Sequence, residues 1–266
     1  MSFPKIMGIL NVTPDSFSDG GQFDSAASAC SQAEALVVSG ADIIDVGGES
    51  TRPFAEPVTE QEELDRVIPA IREIRSLHSI PISIDTTKAE VARQALDAGA
   101  DIINDISALR KDPEMLGLVQ QTSVPVIIMH MHGTPMDMQV KPQYDNVVSD
   151  IADFFRERLV WLAENGVDPK RITLDPGIGF GKTLDHNLSI IKHFADFKVF
   201  GCPLLLGHSR KRFLGDITGL EVDDRDLPTA VVSAFAGASN ADIIRVHNVA
   251  ATRHAIQMIE AILKAD

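Results

Sequence analysis

Short apolar runs alternate along this chain with longer stretches whose apolar residues recur every three or four positions. The runs Lys5–Leu10, Ile43–Val46, Pro81–Ile84, Ile102–Ile103, Val124–Met129, Ile172–Leu174, Pro203–Leu206 and Ile243–Ile244 are apolar at nearly every position, the pattern of parallel strands covered on both faces. Helical spacing follows each of them. It predicts helices over Ala26–Val38, Glu60–Leu77, Ala89–Ala98, Asp112–Gln121, Tyr144–Asn165, Leu184–Phe197, Pro228–Ser239 and Val249–Leu263, with Gly40, Gly99 and Gly166 placed as terminators. Strand followed by helix, eight times over, predicts a (β/α)8 TIM barrel forming a single domain across residues 1–266; a doubly wound open sheet is the alternative.

An internal repeat supports the barrel. Gly40-Ala41-Asp42-Ile43-Ile44-Asp45 matches Gly99-Ala100-Asp101-Ile102-Ile103-Asn104, and Asn240-Ala241-Asp242-Ile243-Ile244-Arg245 matches both. The sixth position is polar in each copy, which puts Asp45, Asn104 and Arg245 at one height. Active sites of such barrels lie at the strand C-termini, where Asn11, Asp85, Asn104, Asp175, Lys211, Arg245 and His247 all fall.

Composition narrows the partners. A net charge of −14 over 266 residues argues against nucleic acid or an anionic membrane surface. No apolar run reaches the ~18 to 20 residues of a membrane span, and the N-terminus lacks a signal-peptide core. Cys30 and Cys202 read as reduced, buried thiols, so a cytoplasmic protein is expected.

Two tempting motifs fail. The run Gly177-Ile178-Gly179-Phe180-Gly181-Lys182-Thr183 would be a phosphate loop only with glycine at position 176, which is proline, and its glycine spacing is wrong for a dinucleotide fingerprint. His130-Met131-His132 invites a zinc reading, but a loop element is favoured. What remains is a mouth in two halves. Arg52, Arg210, Lys211, Arg212, Arg245 and His247 make a cationic half suited to phosphate. Asp85, Asn104 and Asp175 make a carboxylate and amide half suited to a flat ring with adjacent N–H donors.

These residues carry a resemblance that covers nearly the whole chain. Met7–Gly21, Asp45–Pro53, Asp175–Lys182, Ser209–Lys211 and Arg245–His247 resemble the dihydropteroate synthase family of folate biosynthesis. The resemblance implies a transferase joining 6-hydroxymethyl-7,8-dihydropterin diphosphate to 4-aminobenzoate with release of pyrophosphate, and with it Mg2+ and a homodimer. It also implies roles. Asp175, assisted by Asn104 and Asp85, would take the pterin N–H donors; Lys211 would reach the pterin carbonyl; Arg52, Arg245 and His247 would hold the diphosphate. Asn11 would ligate Mg2+, and Thr51, Pro53 and the Ser209–Arg212 segment would border the aminobenzoate pocket. Phe54 and Arg212 depart from the family pattern and leave that pocket's shape open. A pterin-dependent methyltransferase barrel and a non-catalytic pterin-binding barrel are the rival readings. The loops over residues 12–22 and 48–59, rich in Gly, Ser, Pro and Asp, are expected to close over the bound diphosphate.

Overall fold

The computed structural model describes residues 3–13, 22–50, 56–133 and 142–265, without the side chains of 22–26. Eight strands form one parallel sheet: β1 (Lys5–Asn11), β2 (Ile43–Gly47), β3 (Ile82–Asp85), β4 (Ile102–Asp105), β5 (Val126–Met129), β6 (Ile172–Asp175), β7 (Leu205–Leu206) and β8 (Ile243–Val246). Neighbours follow the order β6-β5-β4-β3-β2-β1-β8-β7. The ends of that row meet through a parallel bridge between Leu174 and Leu204, beside a 2.9 Å bond from Leu174 N–H to the Pro203 carbonyl. The sheet is therefore a barrel and not an open, doubly wound sheet.

Nine α-helices among the described residues wrap it: α1 (Gln22–Val38), α2 (Glu60–Leu77), α3 (Ala89–Ala98), α4 (Glu114–Gln121), α5 (Val147–Glu164), α6 (Leu184–Lys192), α7 (Arg212–Thr218), α8 (Asp226–Ala238) and α9 (Val249–Lys264). Several ends shift from the sequence expectation, α1 starting at Gln22, α4 at Glu114 and α8 at Asp226, and two of the shifts have a clear local reason. Helix α5 starts later than Tyr144 because the Asn146 side chain accepts from Val148 and Ser149 N–H, both at 3.1 Å, and so fixes the first turn. Helix α6 stops at Lys192, and the chain tightens into a 3-10 turn over Phe194–Phe200 that buries Phe194 and Phe197.

Alternation along the strands sorts the apolar residues into two cores. Ile6, Leu10, Ile44, Val46, Ile82, Ile84, Ile103, Val126, Ile128, Ile172, Leu174, Leu206 and Ile244 face outward and pack under the helices. Met7, Ile43, Ile127 and Leu205 point inward, with Ile102 and Ile243 against them, and plug the lower part of the barrel. One step further along β2, β4 and β8 the inward residues turn polar, to Asp45, Asn104 and Arg245, and that step is the floor of the mouth.

The internal repeat has a physical explanation at the opposite end. In each copy the aspartate before a strand clasps one residue at the neighbouring strand's start. Asp42 N–H donates to the Ile6 carbonyl at 2.8 Å while its Oδ2 accepts from Ile6 N–H at 2.7 Å. Asp101 does the same with Ile82 (2.7 and 2.9 Å), and Asp242 with Leu204 (3.0 and 2.6 Å). Each carboxylate also meets a cation: Arg253, Arg75 and Lys198 respectively. Between β5 and β6 the clasp is replaced by Arg171, whose guanidinium donates to the Val124 and Val119 carbonyls. The capping residues Gly40, Gly99 and Asn240 all have positive φ, which the turn into the clasp requires.

Candidate active site

At the mouth, Arg245 is the central cation. Its Nε donates to Asp45 Oδ2 at 2.5 Å and its Nη2 to Asp85 Oδ2 at 2.6 Å. Asn104 Nδ2 lies 3.3 Å from Asp45 Oδ2, which ties β4 to the same group. Two carboxylates on one guanidinium leave an excess negative charge in a buried place. Burial accordingly pushes the Asp85 carboxyl up to about 7 against the pull of Arg245, with Asp45 and Glu63 adding to the rise. Burial acts against the Arg245 charge, but Asp45 and Asp85 outweigh it and hold the guanidinium above its ordinary value.

Asp175 closes β6 and is 7% exposed. Its Oδ1 accepts from Gly177 N–H at 2.8 Å, a turn made possible by Pro176 stopping the strand. A Cβ at Gly207, just past the neighbouring β7, would sit 3.5 Å from Asp175 Oδ2, so that oxygen looks onto a floor kept clear by a glycine. Burial raises the Asp175 carboxyl to about 6, with Gly177 N–H, Lys211 and Arg245 all working the other way. Lys211 lies with its Nζ 4.0 Å from the centre of the Phe180 ring, and burial lowers its ammonium to about 8. Ser209 Oγ lies 2.9 Å from His247 Nδ1 and accepts from His247 N–H at 3.1 Å. The hydroxyl thus ties the His247 backbone and ring to the segment after β7.

Asn11, Asp85, Asn104, Asp175, Ser209, Lys211, Arg245 and His247 are thus gathered at the C-terminal ends of the strands. Thr51, Arg52, Pro53 and Phe54 lie outside the described residues, as do residues 14–21 and hence most of the first loop expected to close. Two expectations are corrected. Arg210 and Arg212 do not join the cationic half: Arg210 is turned away into a two-bond clasp with Asp226 at the start of α8 (2.7 and 2.9 Å), and Arg212 has an 88% exposed side chain beside Asp216. The two halves are also not separate, since Arg245 is bonded into the carboxylate half.

The comparisons agree with this geometry. Residues 7–247 match the family model described as "Pterin binding enzyme". A dihydropteroate synthase from Synechocystis is 46% identical over 97% of this chain and 89% of its own length. A crystal structure of Yersinia pestis dihydropteroate synthase with a sulfonamide drug superposes with a TM-score of 0.94 at 41% identity, covering 99% of this chain and 95% of that one. A Xanthomonas albilineans dihydropteroate synthase with 4-aminobenzoic acid gives 0.93 at 42%, covering 99% and 94%. This chain belongs to the dihydropteroate synthase family.

Three participants in the dihydropteroate synthase mouth went unassigned in the sequence. Asp45 stood out as a polar position of the repeat and the start of a family-like stretch but was given no role, yet its alignment with Asn104 and Arg245 placed it at the right height. Phe180 and Lys182 sat inside a glycine run whose shape periodicity does not describe. Lys182 is 4% exposed, and its Nζ contacts the Phe180 carbonyl at 3.0 Å and His130 Nδ1 at 3.1 Å. His130, the residue behind the zinc reading, is therefore an acceptor for this lysine.

Proposed function

We propose that this dihydropteroate synthase places its pterin against Asp175, Asn104 and Asp85 and its diphosphate toward Arg52, Arg245 and His247. The reaction joins 6-hydroxymethyl-7,8-dihydropterin diphosphate to 4-aminobenzoate and releases pyrophosphate. The observation that carries the placement is the buried Asp175 carboxylate, which accepts one backbone N–H and faces open floor. A carboxylate so placed gains from adjacent ring N–H donors, and Lys211 stands within reach of the acceptor side of the same ring. The aminobenzoate pocket, bordered by Thr51, Pro53 and the segment from Ser209, meets the pterin at its exocyclic methylene.

Bond cleavage at that methylene leads and the neutral arylamine follows, so no strong base is needed. The electron-rich dihydropterin spreads the positive charge left behind. Cations at the mouth neutralise the departing diphosphate, and the site holds the amine in line. Asn11 offers one neutral amide oxygen, and among the described residues no three His, Cys, Asp or Glu side chains form a metal site. Such a donor set fits Mg2+ that takes its other ligands from diphosphate and water; bound there, the ion would add charge neutralisation. One barrel domain serves both substrates. We read the protein as cytoplasmic from its two free cysteines; no helix among the described residues is long and apolar enough to cross a membrane. The homodimer finds support in an exposed apolar stripe, Leu227, Val231 and Phe235 on α8 beside Met258 and Ile262 on the adjoining α9.

Incubation with pterin diphosphate, 4-aminobenzoate and Mg2+ should release pyrophosphate only when all three are present. Calorimetry should find weak Mg2+ binding without substrate. No pyrophosphate with all three would refute the reaction; tight stoichiometric Mg2+ binding to the empty protein would remove Asn11 from its role.

A further inference from the structure

A lysine buried to 4% exposure is costly unless its three protons are all used. Lys182 uses them on two different elements. Nζ lies 3.0 Å from the Phe180 carbonyl in the loop after β6, 3.1 Å from His130 Nδ1 and 3.4 Å from the His130 carbonyl at the end of β5. The same junction is pressed shut by glycine: a Cβ at Gly177 would fall 2.0 Å from the His130 carbonyl oxygen. Gly177 N–H is also the group that holds Asp175 Oδ1, and Phe180 is the ring beneath Lys211. One ammonium therefore ties the end of β5 to the short loop that orients the floor carboxylate and carries the Lys211 platform.

We propose that Lys182 is a positioning residue of the pterin site, tying the end of β5 to the loop after β6 and so fixing Asp175 and Phe180 where the pterin docks. This rests on the placement of the pterin against Asp175. Lys182 touches no reacting atom; it acts through the loop.

The charge state of the pin gives a readout that a merely structural role would not move. Burial lowers the Lys182 ammonium to about 7, with the Asp175 carboxylate opposing the drop and Lys211 adding to it. The titratable or charged groups facing it are His130 from β5, Asp175 from β6, Lys211 from the segment after β7 and His186 from α6, with Arg110 and His132 beside His130. His130, lowered to about 2 chiefly by burial, stays neutral throughout the range in which the enzyme works. Loss of the ammonium proton above pH 7 loosens the pin, so pterin affinity declines there. Lys211 titrates in the adjacent window, and the decline is therefore read against Lys182→Arg, whose guanidinium keeps its charge.

The test follows binding of 6-hydroxymethylpterin, without diphosphate, by its fluorescence from pH 6.5 to 8 in wild type, Lys182→Met, Lys182→Arg and Asp175→Asn. Lys182→Met should bind about tenfold more weakly at pH 6.5 and show a shallower slope than wild type, keeping only the part due to Lys211. Lys182→Arg should bind within about threefold of wild type at pH 6.5 and stay flatter than wild type up to pH 8. Should Lys182→Met not fold, the Arg comparison decides alone. A folded Lys182→Met within twofold of wild type, or an arginine variant with the wild-type slope, would overturn the proposal. If instead Asp175→Asn binds like wild type, the pterin placement itself is wrong; a loss in Asp175→Asn with none in Lys182→Met sinks only the role of Lys182.

Discussion

Two sets of three aspartates sit at opposite ends of this barrel and behave in opposite ways. At the N-terminal end, Asp42, Asp101 and Asp242 each accept a strand N–H and meet a cation, with side chains 39%, 52% and 41% exposed. Their demand for hydrogen bonds is met from within the chain and from water. At the C-terminal end, Asp45, Asp85 and Asp175 are almost wholly removed from water; Asp45 and Asp85 share a single guanidinium, and Asp175 has one backbone donor. The first set closes the sheet at low cost. The second is held in a state that a ligand improves, because a ring with paired N–H donors supplies what the protein withholds.

The contrast is sharpest at Arg245. Arg245→Ala leaves two buried carboxylates facing each other, and urea unfolding should show a loss of about 3–5 kcal/mol. Since the guanidinium binds into the carboxylate half, bare pterin and pyrophosphate should both bind more weakly in calorimetry. If only pyrophosphate binding suffers, the mouth really divides into two independent halves.

Asp175→Asn should act almost purely on function. Pterin affinity should fall on the order of a hundredfold, because an amide cannot accept two N–H donors side by side. Stability should hold or rise, since a buried charge is removed. The pH dependence has a definite sign. The folded pKa of about 6 lies above the unfolded value, so the native state binds the extra proton between about 4 and 6 and stability falls as pH rises through that window. In the proposed placement pterin needs the ionised form, so its affinity should rise with pH through about 6. A pterin affinity flat from pH 5 to 7 would show that the carboxylate is already ionised in the empty site.

The smallest effect belongs to the other end. Asp101→Ala removes a strand bond and a half-exposed ion pair, so chemical denaturation should show a loss of about 1–2 kcal/mol. Both substrates should keep their KM within twofold. A substantial loss of turnover in a folded Asp101→Ala would mean that the lower end reaches the chemistry.

Much of the barrel could be read from period alone. The bounds of α2 and α3 fall on the expected residues, because Thr59 and Glu62 form a capping box and Gly99 stops α3 in a left-handed turn. The repeat pointed to architecture, and its aspartates supply the reason. Periodicity gave no warning about Arg210, whose direction depends on Asp226 sixteen residues later in the chain. Nor could it assign Lys182, since its partner His130 lies on another strand and their meeting is a property of the closed sheet. Local pattern finds the strand ends; which charged groups face one another across them is decided only by closure.

That closure is uneven. Seven of the eight joints are ladders, while β6 and β7 meet at a single rung, Leu174 with Leu204. The stave that carries Asp175 and the stave that leads to Lys211 are the two sides of this seam. In the proposed placement, a pterin between those residues would span it from above like a clamp on a barrel hoop. Occupancy and cylinder integrity would then draw on one free energy, each molecule of substrate held also bracing the joint with the fewest rungs in the wall.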